Sequence, residues 1–188
     1  MLRVRLFAGL VAGVTLIAAC DRHPRDPAYD FLVDIREEMC GKTYQGRVVS
    51  DQAVDADWIG QTLTLGPVRC QGHWMEMPLA VGEDASRTWR LRKHPEGAEF
   101  RHRHVEPDGR ESAVSDYGGT TALETTRRRL VVPADEITKA IFVENGLEAS
   151  LDNVWSLTLE LGDTLTYALA RPNRDFRAEF DISEPIAP

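Results

Sequence analysis

Three cysteines, no CxxC pair and no apolar run long enough to span a bilayer set the first limits on this chain. A dithiol redox enzyme keeps two residues between its reactive thiols, so the missing CxxC argues against one. The uncharged run at residues 6–19 is fourteen residues long, against the roughly 20 apolar residues that a transmembrane helix needs. Positive charge is also in short supply: 22 Lys and Arg stand against 30 Asp and Glu, a formal net charge of −8. A surface of that sign repels nucleic acid and anionic headgroups, which excludes both as main partners. There is no internal repeat and no low-complexity tract. No nucleophile elbow or oxyanion-hole loop is visible, so nucleophilic catalysis has little support.

The short apolar run follows Arg3 and Arg5, the pattern of a removed targeting segment. It ends in Ile17-Ala18-Ala19-Cys20: a branched residue, two small residues, then cysteine. This resembles the lipobox of bacterial lipoprotein precursors. The resemblance implies cleavage before Cys20 and a lipid, palmitate among its acyl chains, on that residue. An ordinary secretory signal beside a chance cysteine is the alternative. Asp21 resembles the inner-membrane retention signal of enteric bacteria. The expected organisation is a signal peptide at residues 1–19, a lipidated polar tether at 20–27 and one domain at 28–188. Each buried methylene contributes about 0.8 kcal/mol to anchoring. A soluble domain would thus be held at the bacterial cell envelope, facing the periplasm. Cys40 and Cys70 remain, and in that oxidising compartment they are expected to form a disulfide. Closing a loop of that length stabilises by about 3–4 kcal/mol in the chain-entropy model. Two buried free thiols are the alternative.

Without residues 1–19 the balance is 20 basic against 30 acidic residues, a net of −10. Residues 87–129 run the other way, with ten Lys and Arg against seven Asp and Glu. That segment marks a place for an anionic ligand. Arginines on the solvent faces of strands are the plainer explanation.

Asp26-Pro27 starts a helix, with an N-cap acid and proline at the first helical position. Tyr29, Leu32, Val33 and Met39 recur at near-helical spacing up to Gly41, which predicts a helix over about 27–39. Apolar residues then alternate with period two. Strands are predicted at 44–50, 61–70, 73–81 and 87–94, then at about 120–132 with Arg127, Arg128 and Arg129 alternating in a solvated strand. Pro78 is an objection inside the third of these. Pro133-Ala134-Asp135-Glu136 opens a second short helix. Trp155, Leu157, Leu159 and Leu161, then Leu165, Tyr167 and Leu169, then Phe176, Phe180 and Ile182 mark a three-stranded antiparallel meander with one buried face. About ten strands and two helices make an all-β domain. An antiparallel barrel removes exposed edges, and the topology resembles lipocalin-type ligand-holding barrels. A two-sheet sandwich is the alternative.

Residues 100–119 hold the densest set of ligand-capable side chains. Glu106-Pro107-Asp108-Gly109-Arg110 is a three-residue hairpin turn. It predicts a register in which His104 faces Ser112, His102 faces Val114 and Phe100 faces Asp116. Two residues on one strand face lie about 6.6–7 Å apart, so His102 and His104 could share zinc or copper. Asp116 would be a third ligand and His73, on another strand, a fourth. The competing reading is histidines at a barrel mouth, hydrogen-bonded or exposed. If they point inward, the interior suits a small polar or anionic ligand, with Trp155, Tyr167, Phe176 and Phe180 as an apolar floor. Gly118-Gly119 reads as a tight turn.

Several stretches resemble a family of uncharacterised bacterial secreted proteins. They are Cys40-Gly41 with Tyr44-x-Gly46, Val81-Gly82-Glu83-Asp84-x-Ser86-Arg87-Thr88-Trp89, His104-x-x-x-Asp108-Gly109, and Tyr117-Gly118-Gly119. The resemblance implies secretion and carries no activity with it. Three functions fit the sequence. The first is a lipid-tethered barrel holding a small ligand. The second is an envelope scaffold with Trp58 and Trp74 as an exposed contact patch. The third is a metal carrier or metal-dependent enzyme centred on His102 and His104.

Overall fold

The computed structural model describes residues 26–186. The signal segment, Cys20 and Asp21 lie outside the described residues. The domain is all-β. Ten antiparallel strands form a nearly closed barrel, with two helices, α1 (Pro27–Met39) and α2 (Glu136–Glu144). The strands are β1 (Tyr44–Val48), β2 (Leu63–Leu65), β3 (Met75–Val81), β4 (Asp84–His94), β5 (Gly97–His104), β6 (Tyr117–Thr120), β7 (Arg129–Pro133), β8 (Val154–Glu160), β9 (Thr164–Arg171) and β10 (Arg174–Asp181). Each strand pairs with its sequence neighbour, and β1 pairs with β10. The one place without a ladder is between β6 and β7.

That gap is bridged by other means. The Ala122 N–H donates to the Val131 carbonyl at 2.8 Å, and the Asp135 N–H to the Gly118 carbonyl at 3.1 Å. The Thr138 hydroxyl clasps Gly118 from α2, accepting from its N–H at 2.7 Å and donating to its carbonyl at 2.8 Å. Gly118 and Gly119 are therefore not a tight turn. They sit in β6, where the missing side chains let β7 approach. A Cβ on Gly119 would lie 2.2 Å from the Pro133 carbonyl oxygen. Gly119→Ala is expected to push β6 off β7 and destabilise the fold by about 1–3 kcal/mol, as overpacking does elsewhere. A urea midpoint equal to wild type would contradict that.

The first helix is capped as predicted: the Asp26 carboxylate accepts from the Ala28 N–H at 2.9 Å and Pro27 opens the first turn. The buried stripe is rotated from the expected one. Ala28, Phe31, Ile35 and Met39 are buried, while Tyr29 is exposed beneath the Lys93 ammonium. The rotation brings Asp34 inward. Its carboxylate takes two hydrogen bonds from Arg127, at 2.8 and 2.9 Å, and one from Arg128 at 3.2 Å. The Arg127 hydrogen bond is the main cause that holds this carboxyl below its ordinary range. So Arg127 and Arg128 do not alternate in a strand. The predicted strand over 120–132 is two short strands, β6 and β7, with the arginines on the loop between them gripping α1.

Through these contacts α1 closes the barrel end at which β4 turns into β5. Cys40, at its C-terminus, is bonded to Cys70, with Cα atoms 5.8 Å apart and a sequence separation of 30. The predicted strand over 61–70 is only Leu63–Leu65, because Gly66-Pro67 interrupts it and a single bridge, Arg69 to Glu76, follows. Pro78 does stand inside β3, where its carbonyl accepts from the Gly66 N–H at 2.8 Å. The register slips just beyond it, between Leu79 and Val81. Among the described residues no helix is long and apolar enough to cross a membrane.

Candidate functional site

The end opposite α1 is open, and β5 brings the histidines there. Alternation along β5 turns Phe100, His102 and His104 inward. The hairpin turn forms as expected: the Glu106 N–H donates to the Arg110 carbonyl at 2.7 Å, and the Ser112 N–H to the His104 carbonyl at 3.0 Å. Beyond Ser112 the chain leaves the ladder. Ser115 fills in, its hydroxyl accepting from the His104 N–H at 3.0 Å. Pairing resumes with Tyr117, not Val114, opposite His102.

That shift of three residues is odd, so it exchanges the two faces of the returning strand. Asp116 leaves the predicted site. It adopts a left-handed backbone, φ 53°, and turns its carboxylate outward to Arg90 at 2.9 Å. His73 is exposed in the bend before β3 and lines a separate depression against α1. The metal set of His102, His104, Asp116 and His73 is therefore not brought together. Among the described residues no three His, Cys, Asp or Glu side chains are placed to hold a metal ion.

Tyr117 takes the place that Asp116 was expected to fill. Its ring stacks on His102, centroids 4.8 Å apart and planes 11° apart. The His102 Nδ1 lies 3.3 Å from the Tyr117 carbonyl, and Nε2 lies 3.0 Å from the Tyr167 hydroxyl. A carbonyl can only accept, so Nδ1 carries the proton and the Tyr167 O–H donates to Nε2. The His104 Nε2 is 3.1 Å from the Tyr117 hydroxyl. Burial is the chief cause in each group that follows. It pulls the pKa of His102 down to about 3 and that of His104 to about 4. It pushes the Tyr117 hydroxyl up to about 12, and that of Tyr167 well above its ordinary value. All four groups are uncharged at neutral pH.

Around them is an aromatic wall. Trp89 stacks on Tyr167 at 4.5 Å and 15°. Trp58 meets Phe176 edge-on at 5.4 Å. Between these rings is a cavity of about 310 Å³ that opens beside the loop carrying the 3₁₀ turn Ala53–Asp55. Arg174 ties that loop to the start of β10, bonding Asp55 at 2.7 Å and the Gln52 side-chain carbonyl at 3.0 Å. Arg87 lies over Trp58 and is paired with Asp84. No protein-family model, curated protein or solved structure matches this chain. The site's chemistry must be read from its own residues.

Sequence reasoning placed Tyr167 and Phe176 correctly at the interior and missed what covers them. Trp58 is not an exposed contact residue but part of the loop beside the mouth. Trp74 is not free either: Arg90 and Arg92 each place a guanidinium 4.3 Å from its ring centre. The alternation of Trp89 with Arg90 was a readable signal for the inward Trp89. Asp55, in an acid-rich loop, gave no sign of its pairing with Arg174.

Proposed function

We propose that this protein is a small-ligand-binding β-barrel module, tethered by an N-terminal lipid on Cys20 and facing the periplasm of a bacterial envelope. The observation that carries the binding part is the aromatic-walled cavity of about 310 Å³ at the open barrel end, with two imidazole–tyrosine pairs in its wall. Small-molecule sites have this character: mostly apolar, concave, with a few placed polar groups, and volumes of about 300–1,000 Å³. A volume at the bottom of that range fits a small compound rather than a fatty acid. The Cys40–Cys70 disulfide agrees with an oxidising compartment.

The neutral dye N-phenyl-1-naphthylamine tests the binding. Its fluorescence should rise on mixing with the protein and saturate at one equivalent. Leu169, on β9, lines the cavity, so Leu169→Trp should fill it and abolish the rise. Equal enhancement by both proteins would sink the reading. The tether has its own check: Cys20→Ser should move the protein from the membrane fraction to the soluble one.

A further inference from the structure

We infer that the cavity selects a small, uncharged aromatic compound bearing a hydrogen-bond donor, and rejects the same ring system carrying a carboxylate or an ammonium. This rests on the binding reading above and adds the ligand's chemical class.

Charge decides the first half. Two arginines reach the cavity, and each already has its own carboxylate. Arg174 is paired with Asp55, and their side chains are only 13% and 3% exposed. Arg87 is paired with Asp84. Asp57 also lines the mouth. Both imidazoles are spoken for by neutral hydroxyls: His102 by Tyr167, His104 by Tyr117. A ligand carboxylate entering here would lose water without gaining an unpaired cation, and it would face Asp55 and Asp57. Stripping an ion of water without a partner is strongly unfavourable. This departs from the anionic ligand suggested by the basic segment at 87–129. Most of that segment's charge is neutralised elsewhere: Arg90 by Asp116, Arg101 by Glu99 and Asp135, Arg127 and Arg128 by Asp34.

A cation fares no better. An ammonium is attracted to aromatic faces, but the guanidinium of Arg87 already lies 5.0 Å from the Trp58 ring centre and that of Arg174 lies 5.4 Å from Phe176. A ligand cation would have to displace both from these rings, with only the solvent-exposed carboxylate of Asp57 at the mouth to draw it.

The remaining surface is what a neutral ring wants. Trp58, Trp89, Tyr117, Tyr167 and Phe176 present edges and faces at several angles, which suits offset and edge-on aromatic contacts. The donor requirement comes from His102. Because its Nδ1 proton goes to the Tyr117 carbonyl, the Tyr167 proton goes to Nε2. Tyr167 lines the cavity, and its oxygen, with its proton given to Nε2, is left as an acceptor there. A phenolic O–H or an amide N–H would satisfy it.

Competition against N-phenyl-1-naphthylamine at neutral pH separates the possibilities, with p-cresol, 4-methylbenzoate and 4-methylbenzylammonium as three matched rings. p-Cresol should displace the dye at a concentration at least tenfold below either ion. Tyr167→Phe should weaken p-cresol by more than it weakens toluene. If 4-methylbenzoate or the ammonium displaces the dye as well as p-cresol does, or none of the three displaces it, the inference is wrong while the binding reading stands. If the dye itself does not discriminate between wild type and Leu169→Trp, both fall together.

Discussion

Lowering the pH from 7 to 5 should remove roughly 3 kcal/mol of this protein's stability, about 2 kcal/mol from the buried His102 and about 1 kcal/mol from the half-buried His104, whose contact with solvent screens it. His102 and His104 are held neutral in the fold, with pKa values of about 3 and about 4 against 6.5 for a free imidazole. As the pH falls through 6.5, the unfolded chain takes up two protons that the folded chain refuses. Their stabilisation is complete above about pH 6.5 and declines below it. The decline levels off near pH 4 for His104 and near pH 3 for His102. The carboxyls of Asp34, Glu99 and Asp135 are held below their ordinary values, so their own losses begin only in more acidic solution. Urea unfolding at several pH values between 7 and 5 reads the slope directly. His102→Gln/His104→Gln will start from a lower stability, but its curve should be nearly flat in this window. Parallel curves for variant and wild type would show that the imidazoles are not buried as described.

Arg101→Ala should cost about 3–5 kcal/mol, the penalty for leaving buried charges without their partner. Arg101 is on the outward face of β5, yet it is buried because α2 lies over it. Its guanidinium donates to Glu99 at 2.8 Å, to Asp135 at 2.5 Å and to the Thr138 hydroxyl at 3.3 Å. Burial, the largest single effect on Glu99 and Asp135, works against their charges, and it is outweighed only jointly: by Arg101 with Arg92 at Glu99, and by Arg101 with the Thr138 cap at Asp135. Without Arg101, Glu99 keeps only Arg92, at 2.5 Å, and Asp135 keeps only its capping bond to the Thr138 N–H at 2.8 Å. Asp135 and Thr138 are also the residues that bridge β6 to α2. The variant should therefore lose protection first at the seam, read as faster exchange of the Gly118 amide. Arg101→Met/Glu99→Met removes one charge of each sign and should lose less than Arg101→Ala. A loss below 1 kcal/mol for Arg101→Ala would mean that water reaches these carboxylates.

The parts of the fold that could be read from the sequence are those set by neighbours in the chain. Asp26-Pro27 caps and starts α1, and the Gly162-Asp163 and Pro172-Asn173 turns divide the meander into β8, β9 and β10. Alternation turned His102 and His104 inward for the same local reason. The errors share another cause. Asp116 left the site because Ser115, eleven residues away, completes the hydrogen bonding of His104 and lets the chain detour. Arg127 and Arg128 left their strand because a helix 93 and 94 residues earlier offers them Asp34. Gly118 and Gly119 serve a close approach of β7 and α2 that no local pattern announces. Each miss is a contact between distant segments, where packing overrides propensity.

A ligand should enter the open end of the barrel between Trp58 and Trp89. The indole N–H signals of the four tryptophans report on it directly in a ¹⁵N NMR titration with N-phenyl-1-naphthylamine. Saturable shifts are expected at Trp58 and Trp89, which line the cavity, and none at Trp74, held outside the barrel between Arg90 and Arg92. Shifts confined to Trp74, or no shift at all while the dye binds, would contradict it.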